Sequence, residues 1–243
     1  LLLNRIKASG LKLRFCTNET QATREKFVKK LQGLGFDISV AEVTAPAPAA
    51  CRLLKERGLR PHLLVHDDLV PEFADIDKTN PNCVVIGDAA ENFSYANLNE
   101  AFRVLIGLEK PVLISLGKGR YYKETDGLKL DVGAYMKALE YACDVQAEVV
   151  GKPAKAFFES ALAEMGVPPE QVMVLNDGRR CASQDNSCSE GCSEGDLQLK
   201  CYFLCCHNCY FFLVWFLKGK TGSTDWPKSP LMLLISSGFP ETH

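Results

Sequence analysis

Short, largely apolar runs recur along this chain, and stretches with the period of an α-helix alternate with them. Residues 11–16 form the first such run, and Phe27, Val28, Leu31 and Leu34 then recur at helical spacing up to Gly35, a stop signal. Pro48 suits the opening of a helix over 49–57 that stops at Gly58, and HLLVHD at 62–67 has the pattern of the next strand. CVVIGDA at 83–89 leads to a helical stretch over 95–108 and then to PVLISLG at 111–117. Strands without inside/outside alternation are buried on both faces, and their regular exchange with helices predicts an α/β chain built on a mainly parallel sheet.

That architecture says where to look for chemistry, because open parallel sheets bind ligands beyond the carboxyl ends of their strands. Three strand ends carry suitable groups. The first ends in Thr17 and Asn18. In VVGKPAKAFFESALAEMGVPPEQVMVLND, residues 149–177, one strand ends at Gly151 and Lys152, Pro153 suits a first helical turn, and Phe157, Phe158, Ala161, Leu162 and Met165 make one apolar face. A further strand over 172–175 ends at Asp177. A hydroxyl, a carboxamide and an ammonium group can all donate hydrogen bonds to one phosphate, and Asp177 joins them through a hard cation such as Mg2+. Each feature also has an ordinary structural role. A Thr-Asn pair caps helices or makes turns, Lys-Pro lies in solvated loops, and a single aspartate after a strand serves as a cap.

Composition narrows the field. With 47% hydrophobic and 24% charged residues, the 243-residue chain has enough apolar content for a sizeable core. A net charge of −2 supplies no field to attract nucleic acid, and the basic cluster at 118–123 is too short to change that. Cys16, Cys51, Cys83 and Cys143 are spread through the first 175 residues, as reduced packing residues of a cytoplasmic protein would be. The expected compartment is the cytoplasm, with the nucleus as a second location. No G-x-G-x-x-G follows the first strand, which argues against a dinucleotide site.

FCTNET, GKP and VMVLND resemble successive motifs of the haloacid dehalogenase superfamily of phosphatases, and the long insertion between Thr17 and Lys152 resembles its α/β cap. The resemblance covers about residues 4–175. It implies a Rossmann-like core with a large inserted cap, and a Mg2+-dependent phosphohydrolase that passes its phosphoryl group through an aspartate. Carried over by position, Thr17 and Asn18 hold the phosphate, Lys152 neutralises developing charge and Asp177 helps hold the metal. The implied substrates are phosphate monoesters, phosphohistidine, phospholysine and inorganic pyrophosphate. The implied assembly is a homodimer through the cap. On this reading residues 1–44 and 146–177 form the core, 45–145 the cap, which closes over the site and selects the substrate, and 178–243 an unrelated tail. GKGRYYKE, at 117–124, either faces the leaving group or is a plain exposed loop.

The sequence departs from that pattern at both ends. The superfamily's nucleophile and its acid/base partner are two aspartates at the end of an earlier strand, but no aspartate precedes Asp37, and Asp37 follows a helix. Downstream, Asp177 is followed by Gly178 and a run rich in serine and cysteine instead of further acidic ligands. The core is therefore expected to be incomplete at both ends, without its central first strand, weakly folded and inactive. The chain, which begins at Leu1, is expected to be a fragment. The alternative is a noncatalytic module that binds phosphate or pairs with a complete subunit and regulates it. Seven cysteines fall between Cys181 and Cys209, and residues 201–217 are apolar apart from His207 and Asn208. This tail is open to three readings: a membrane anchor, a metal site, or translation of a noncoding stretch. The last is favoured, and a membrane partner is not expected.

Overall fold

The computed structural model describes residues 7–8, 12–124, 127–166, 168, 172–174, 199–204, 212–217 and 232–235. The chain divides into two compact units. Unit 1 takes residues 1–17, 31–44 and 159–243, and unit 2 takes 18–30 and 45–158.

Unit 2 shows why the strand CVVI is apolar throughout. Strands β3 (Pro61–Leu64), β4 (Cys83–Ile86), β5 (Leu113–Ser115) and β8 (Glu148–Val149) form a parallel sheet in the order β3-β4-β5-β8. Consecutive residues of β4 face opposite layers. Cys83 and Val85 pack with Ala47, Ala50 and Leu54 of helix α2 (Pro46–Arg57) and with Leu69 and Phe73, whereas Val84 and Ile86 pack on the other side. That second layer is made by Ala101 and Leu105 of α3 (Tyr95–Ile106) and by Val132, Met136, Leu139 and Cys143 of α4 (Val132–Cys143). A strand covered on both faces has no polar side to show, so the period-2 alternation is absent from the sequence.

The helix ends follow from local chemistry. Helix α2 starts at Pro46, two residues before the expected Pro48, because Pro46 already supplies the preset φ of the first turn. It closes at Gly58, where φ of +62° is a left-handed conformation that glycine adopts without strain. Ser94 caps α3 by accepting from the Asn97 backbone N–H, and Asp131 caps α4 by accepting from Val132 N–H. Pro153 lies in a turn, and α5 (Lys155–Met165) begins two residues later. Residues 66 and 67, expected to extend β3, instead open a 3-10 turn over Asp67–Phe73.

The second half of GKGRYYKE is not a loop but one arm of an antiparallel hairpin, β6 (Tyr121–Glu124) with β7 (Gly127–Leu130). Loop 117–120 ahead of it packs against the start of α4, where Gly133 N–H donates to Gly119 O at 2.8 Å. A Cβ on Gly133 would lie 2.4 Å from that carbonyl, so only glycine fits there.

Unit 1 holds a second parallel sheet, ordered β2-β1-β12-β9, from β1 (Leu13–Cys16), β2 (Val43–Thr44), β9 (Val172–Val174) and β12 (Met232–Ile235). The sequence predicts a sheet without a central strand, and here the structure differs. β12, from the tail, lies between β1 and β9, with Leu13 opposite Leu233 and Leu234 opposite Val174. The physical reason is that Leu13, Phe15 and Cys16 are buried, so β1 cannot stand as an open edge, and MLLI is an all-apolar run of the kind a central parallel strand needs. The rest of the described tail is a hairpin of β10 (Leu199–Leu204) and β11 (Phe212–Leu217). Among the described residues no helix is long and apolar enough to cross a membrane.

Helix α1 (Arg24–Gly33) follows β1, with Phe27, Val28 and Leu31 buried. Leu34, expected on that face, is 56% exposed because the helix ends at Gly33 and the chain turns at Gly35, where φ is +88°. Within unit 1 the buried Arg14 donates to Ala41 O and pairs with Glu164, whose carboxylate also accepts from the Thr44 hydroxyl at 3.1 Å. Arg14 Nε is, among the described residues, a buried polar atom left without a partner.

Candidate functional site

β1 ends at Cys16, and the next two residues are the first pair singled out from sequence. Thr17 is buried, and its N–H donates to Thr44 O at 3.1 Å, so β1 and β2 stay together one step past the strand end. Asn18 opens unit 2 and is partly exposed. Lys152 sits in the turn after β8, also partly exposed. The structure brings Asn18 and Lys152 together although 134 residues separate them: Lys152 N–H donates to Asn18 Oδ1 at 2.9 Å, and Asn18 Nδ2 donates to Lys152 O at 3.0 Å. Asp177 lies outside the described residues.

The junction is closed from a third side by the end of β5. Val150 N–H donates to Ser115 O at 2.9 Å and Leu116 N–H to Ile86 O at 2.8 Å, which lines up three successive strand ends. Gly151 passes so close to this layer that a Cβ would lie 2.1 Å from Leu116 O and 3.1 Å from Asn18 Oδ1. The GK pair thus has a mechanical content: glycine permits the approach and the lysine follows at the rim.

A second polar group lies a few residues along the same segment, and sequence reasoning missed it. Gln21 Nε2 donates to Asp88 Oδ2 at 2.7 Å and to the Tyr122 hydroxyl at 3.1 Å, while Asp88 N–H donates to Thr20 Oγ1 at 3.2 Å. The segment 18–21 is therefore tied at one end to the β8 turn and at the other to the ends of β4 and the β6–β7 hairpin. Burial, reinforced by the charge of Asp88, pushes the Tyr122 phenol up to about 12. Burial also raises the Asp131 carboxyl, partly opposed by the Val132 N–H, and Asp88 adds to the rise. The one signal that could have found Asp88 was its place at a strand end in CVVIGDA. Nothing in TNETQ distinguishes Gln21 from a surface residue.

The matches to known proteins fall on these same segments. A family model described as haloacid dehalogenase-like hydrolase matches residues 1–79. The haloacid dehalogenase-like hydrolase domain-containing protein 2 of Bos taurus is 44% identical over 178 residues, which cover 73% of this chain and 68% of that protein. The chain belongs to the haloacid dehalogenase-like hydrolase family. Another member, the phospholysine phosphohistidine inorganic pyrophosphate phosphatase of Xenopus laevis, is 73% identical over 175 residues, or 72% of this chain. This haloacid dehalogenase-like chain spans 65% of that relative's length. Its fold is that of a thermostable NPPase double mutant from Geobacillus stearothermophilus, with a TM-score of 0.65 over 72% of each chain at 20% identity. The family's α/β core with a cap, expected from the motifs, is thus the observed fold class.

Among the described residues no three His, Cys, Asp or Glu side chains gather as a metal site. Asp177 offers a single carboxylate, whereas Mg2+ takes six oxygen ligands in octahedral geometry, several of them waters. The described residues alone do not make up a Mg2+ site.

Proposed function

We propose that this chain carries the phosphate-holding part of a phosphohydrolase site of the phospholysine phosphohistidine inorganic pyrophosphate phosphatase type. In this reading Thr17, Asn18 and Lys152 receive the phosphate and Asp177 belongs to the Mg2+ side of the site. The cap, residues 45–145, selects among phosphorylated small molecules, phosphohistidine, phospholysine and pyrophosphate. The observation that carries it is the Asn18–Lys152 junction, in which the Asn18 carboxamide holds the Lys152 backbone just beyond the end of β8, so that two of the candidate residues meet at the rim of strand ends. Its support from relatives is the 73% identity over 175 residues.

Binding and turnover separate on chemical grounds. A dianion needs donors and positive charge, which Thr17, Asn18 and Lys152 supply. Transfer needs a nucleophile placed in line with the leaving group. No aspartate precedes Asp37, so in this reading Thr17, Asn18 and Lys152 hold the phosphate without attacking it.

The test compares phosphate release from pyrophosphate and from an aryl phosphate, with Mg2+ present, by this chain and by the chain extended with an N-terminal strand bearing two aspartates. Release only after extension supports the proposal. Release by the chain as it stands refutes the missing nucleophile, and silence in both, with orthophosphate failing to bind, refutes the phosphate site itself.

A further inference from the structure

Asn18 and Lys152 are both assigned to the proposed phosphate site, but the hydrogen bonds give Asn18 a further task. Its carboxamide meets both backbone groups of one residue, accepting from Lys152 N–H at 2.9 Å and donating to Lys152 O at 3.0 Å. That is the exchange a neighbouring strand makes with a residue across a ladder, performed here by a side chain just past the end of β8. Asparagine is suited to it because its carboxamide offers one acceptor and an NH2 donor side by side. Aspartate lacks the donor, serine and threonine present a single oxygen, and glutamine adds a methylene that changes the reach.

We infer that Asn18 is a positioning residue for Lys152: it fixes the lysine backbone and so sets the point from which the ammonium group reaches the anion. The inference rests on the phosphate reading of this site. Gly151 supports it, since the backbone just before the lysine is pressed to 2.1 Å, measured from the Cβ it lacks, against Leu116 O and to 3.1 Å against Asn18 Oδ1. The lysine's first backbone atoms are thus held between a strand carbonyl and a side-chain amide. A long, flexible lysine stem gains precision only if its root is fixed, because the stem itself retains several rotatable bonds.

The test uses the full chain and two readouts. The first needs no ligand: in ¹⁵N-labelled protein, Asn18→Leu removes the acceptor, and exchange of the Lys152 amide hydrogen accelerates by about tenfold or more. Asn18→Asp retains the acceptor and rescues slow exchange at that amide. The second readout is orthophosphate affinity by calorimetry in a double-mutant cycle with Lys152→Met. Each single change weakens binding, Asn18→Leu by about tenfold. The double variant loses clearly less than the two single losses combined, because the part of the Asn18 effect that acts through the lysine has nothing left to position. Unchanged Lys152 exchange in Asn18→Leu overturns the inference, and so do additive losses in the cycle. If the parent chain binds no orthophosphate, the phosphate reading fails while the exchange experiment still decides the clamp.

Discussion

Gly151→Ala is a perturbation whose size can be worked from the structure. The added Cβ would sit 2.1 Å from Leu116 O, and real Cβ atoms essentially never approach closer than 3.0 Å, so about 0.9 Å must be opened. The obstacle is backbone, and that backbone is already committed: Leu116 N–H donates to Ile86 O, and Val150 N–H, one residue before Gly151, donates to Ser115 O. No flexible side chain can absorb the displacement, so the cost belongs in the upper part of the overpacking range, about 2–3 kcal/mol. The opposing term is small, since alanine stabilises by about 0.4–1 kcal/mol through the unfolded chain where the site accepts it. The net is a loss of about 1–2.5 kcal/mol, which for a protein of this size lowers Tm by roughly 2–10 °C. Differential scanning fluorimetry and urea unfolding of both proteins measure it. A Tm equal to or above that of the parent would show that β5 and β8 are free to part, and the argument that glycine is required at 151 would be wrong.

Three other outcomes follow from the fold and from buried ionisable groups. The Asp131 carboxyl has a folded-state pKa above its ordinary value of 3.8, so the folded chain keeps this proton to higher pH than the unfolded chain does. Its contribution is full below 3.8 and is lost as pH rises towards the folded value. Asp131→Asn keeps the acceptor for Val132 N–H, so the variant should gain stability over the parent as pH rises from 3.5 to 7; equal curves across that range would count against burial as the cause. Burial pushes the Cys51 and Cys83 thiols up to about 11, with Glu72 adding to the rise at Cys51. Peptide mapping after iodoacetamide at pH 8 should find both alkylated about a hundredfold more slowly than in the denatured chain; equal rates would contradict the packed environment. Deleting residues 232–243 removes β12 from between β1 and β9, and the loss of two ladders should lower the unfolding free energy by about 3 kcal/mol or more. An unchanged urea midpoint would show that β12 does not support that sheet.

The fold was legible wherever burial on two faces left continuous apolar runs. β4 is the clearest case: CVVI has no alternation because Cys83 and Val85 serve one core layer and Val84 and Ile86 the other. The β6–β7 hairpin was hard to read: YYKE and GLKL are at least partly exposed and carry no apolar run, which leaves Asp126-Gly127, a turn pair of the Asp-Gly kind, as its one local signal. β12 was not legible for another reason. MLLI is too short to distinguish from any apolar scrap, and its place depends on the need of β1 for a neighbour, which no local pattern encodes. In the candidate site, the strand-end rule singled out Thr17, Asn18 and Lys152. It did not say that Asn18 would spend its carboxamide on the backbone of Lys152, because a partner 134 residues away leaves no trace in local spacing.

The division of the chain bears on how binding and turnover come apart. Asn18, Leu116, Gly151 and Lys152 all belong to unit 2, and the hydrogen bonds that line up this junction come from β4, β5 and β8 of the same unit. Thr17, β9 and β12 belong to unit 1. The root of Lys152 is therefore built by a sheet whose two core layers, among the described residues, draw on unit 2 alone. Damage to the sheet of unit 1, such as the deletion of β12, should leave Lys152 amide exchange protected while the unfolding of unit 1 shifts. If the Lys152 amide opens in step with that sheet, the junction is not the property of one unit, and the physical case for a binding element that survives without its catalytic strand falls with it.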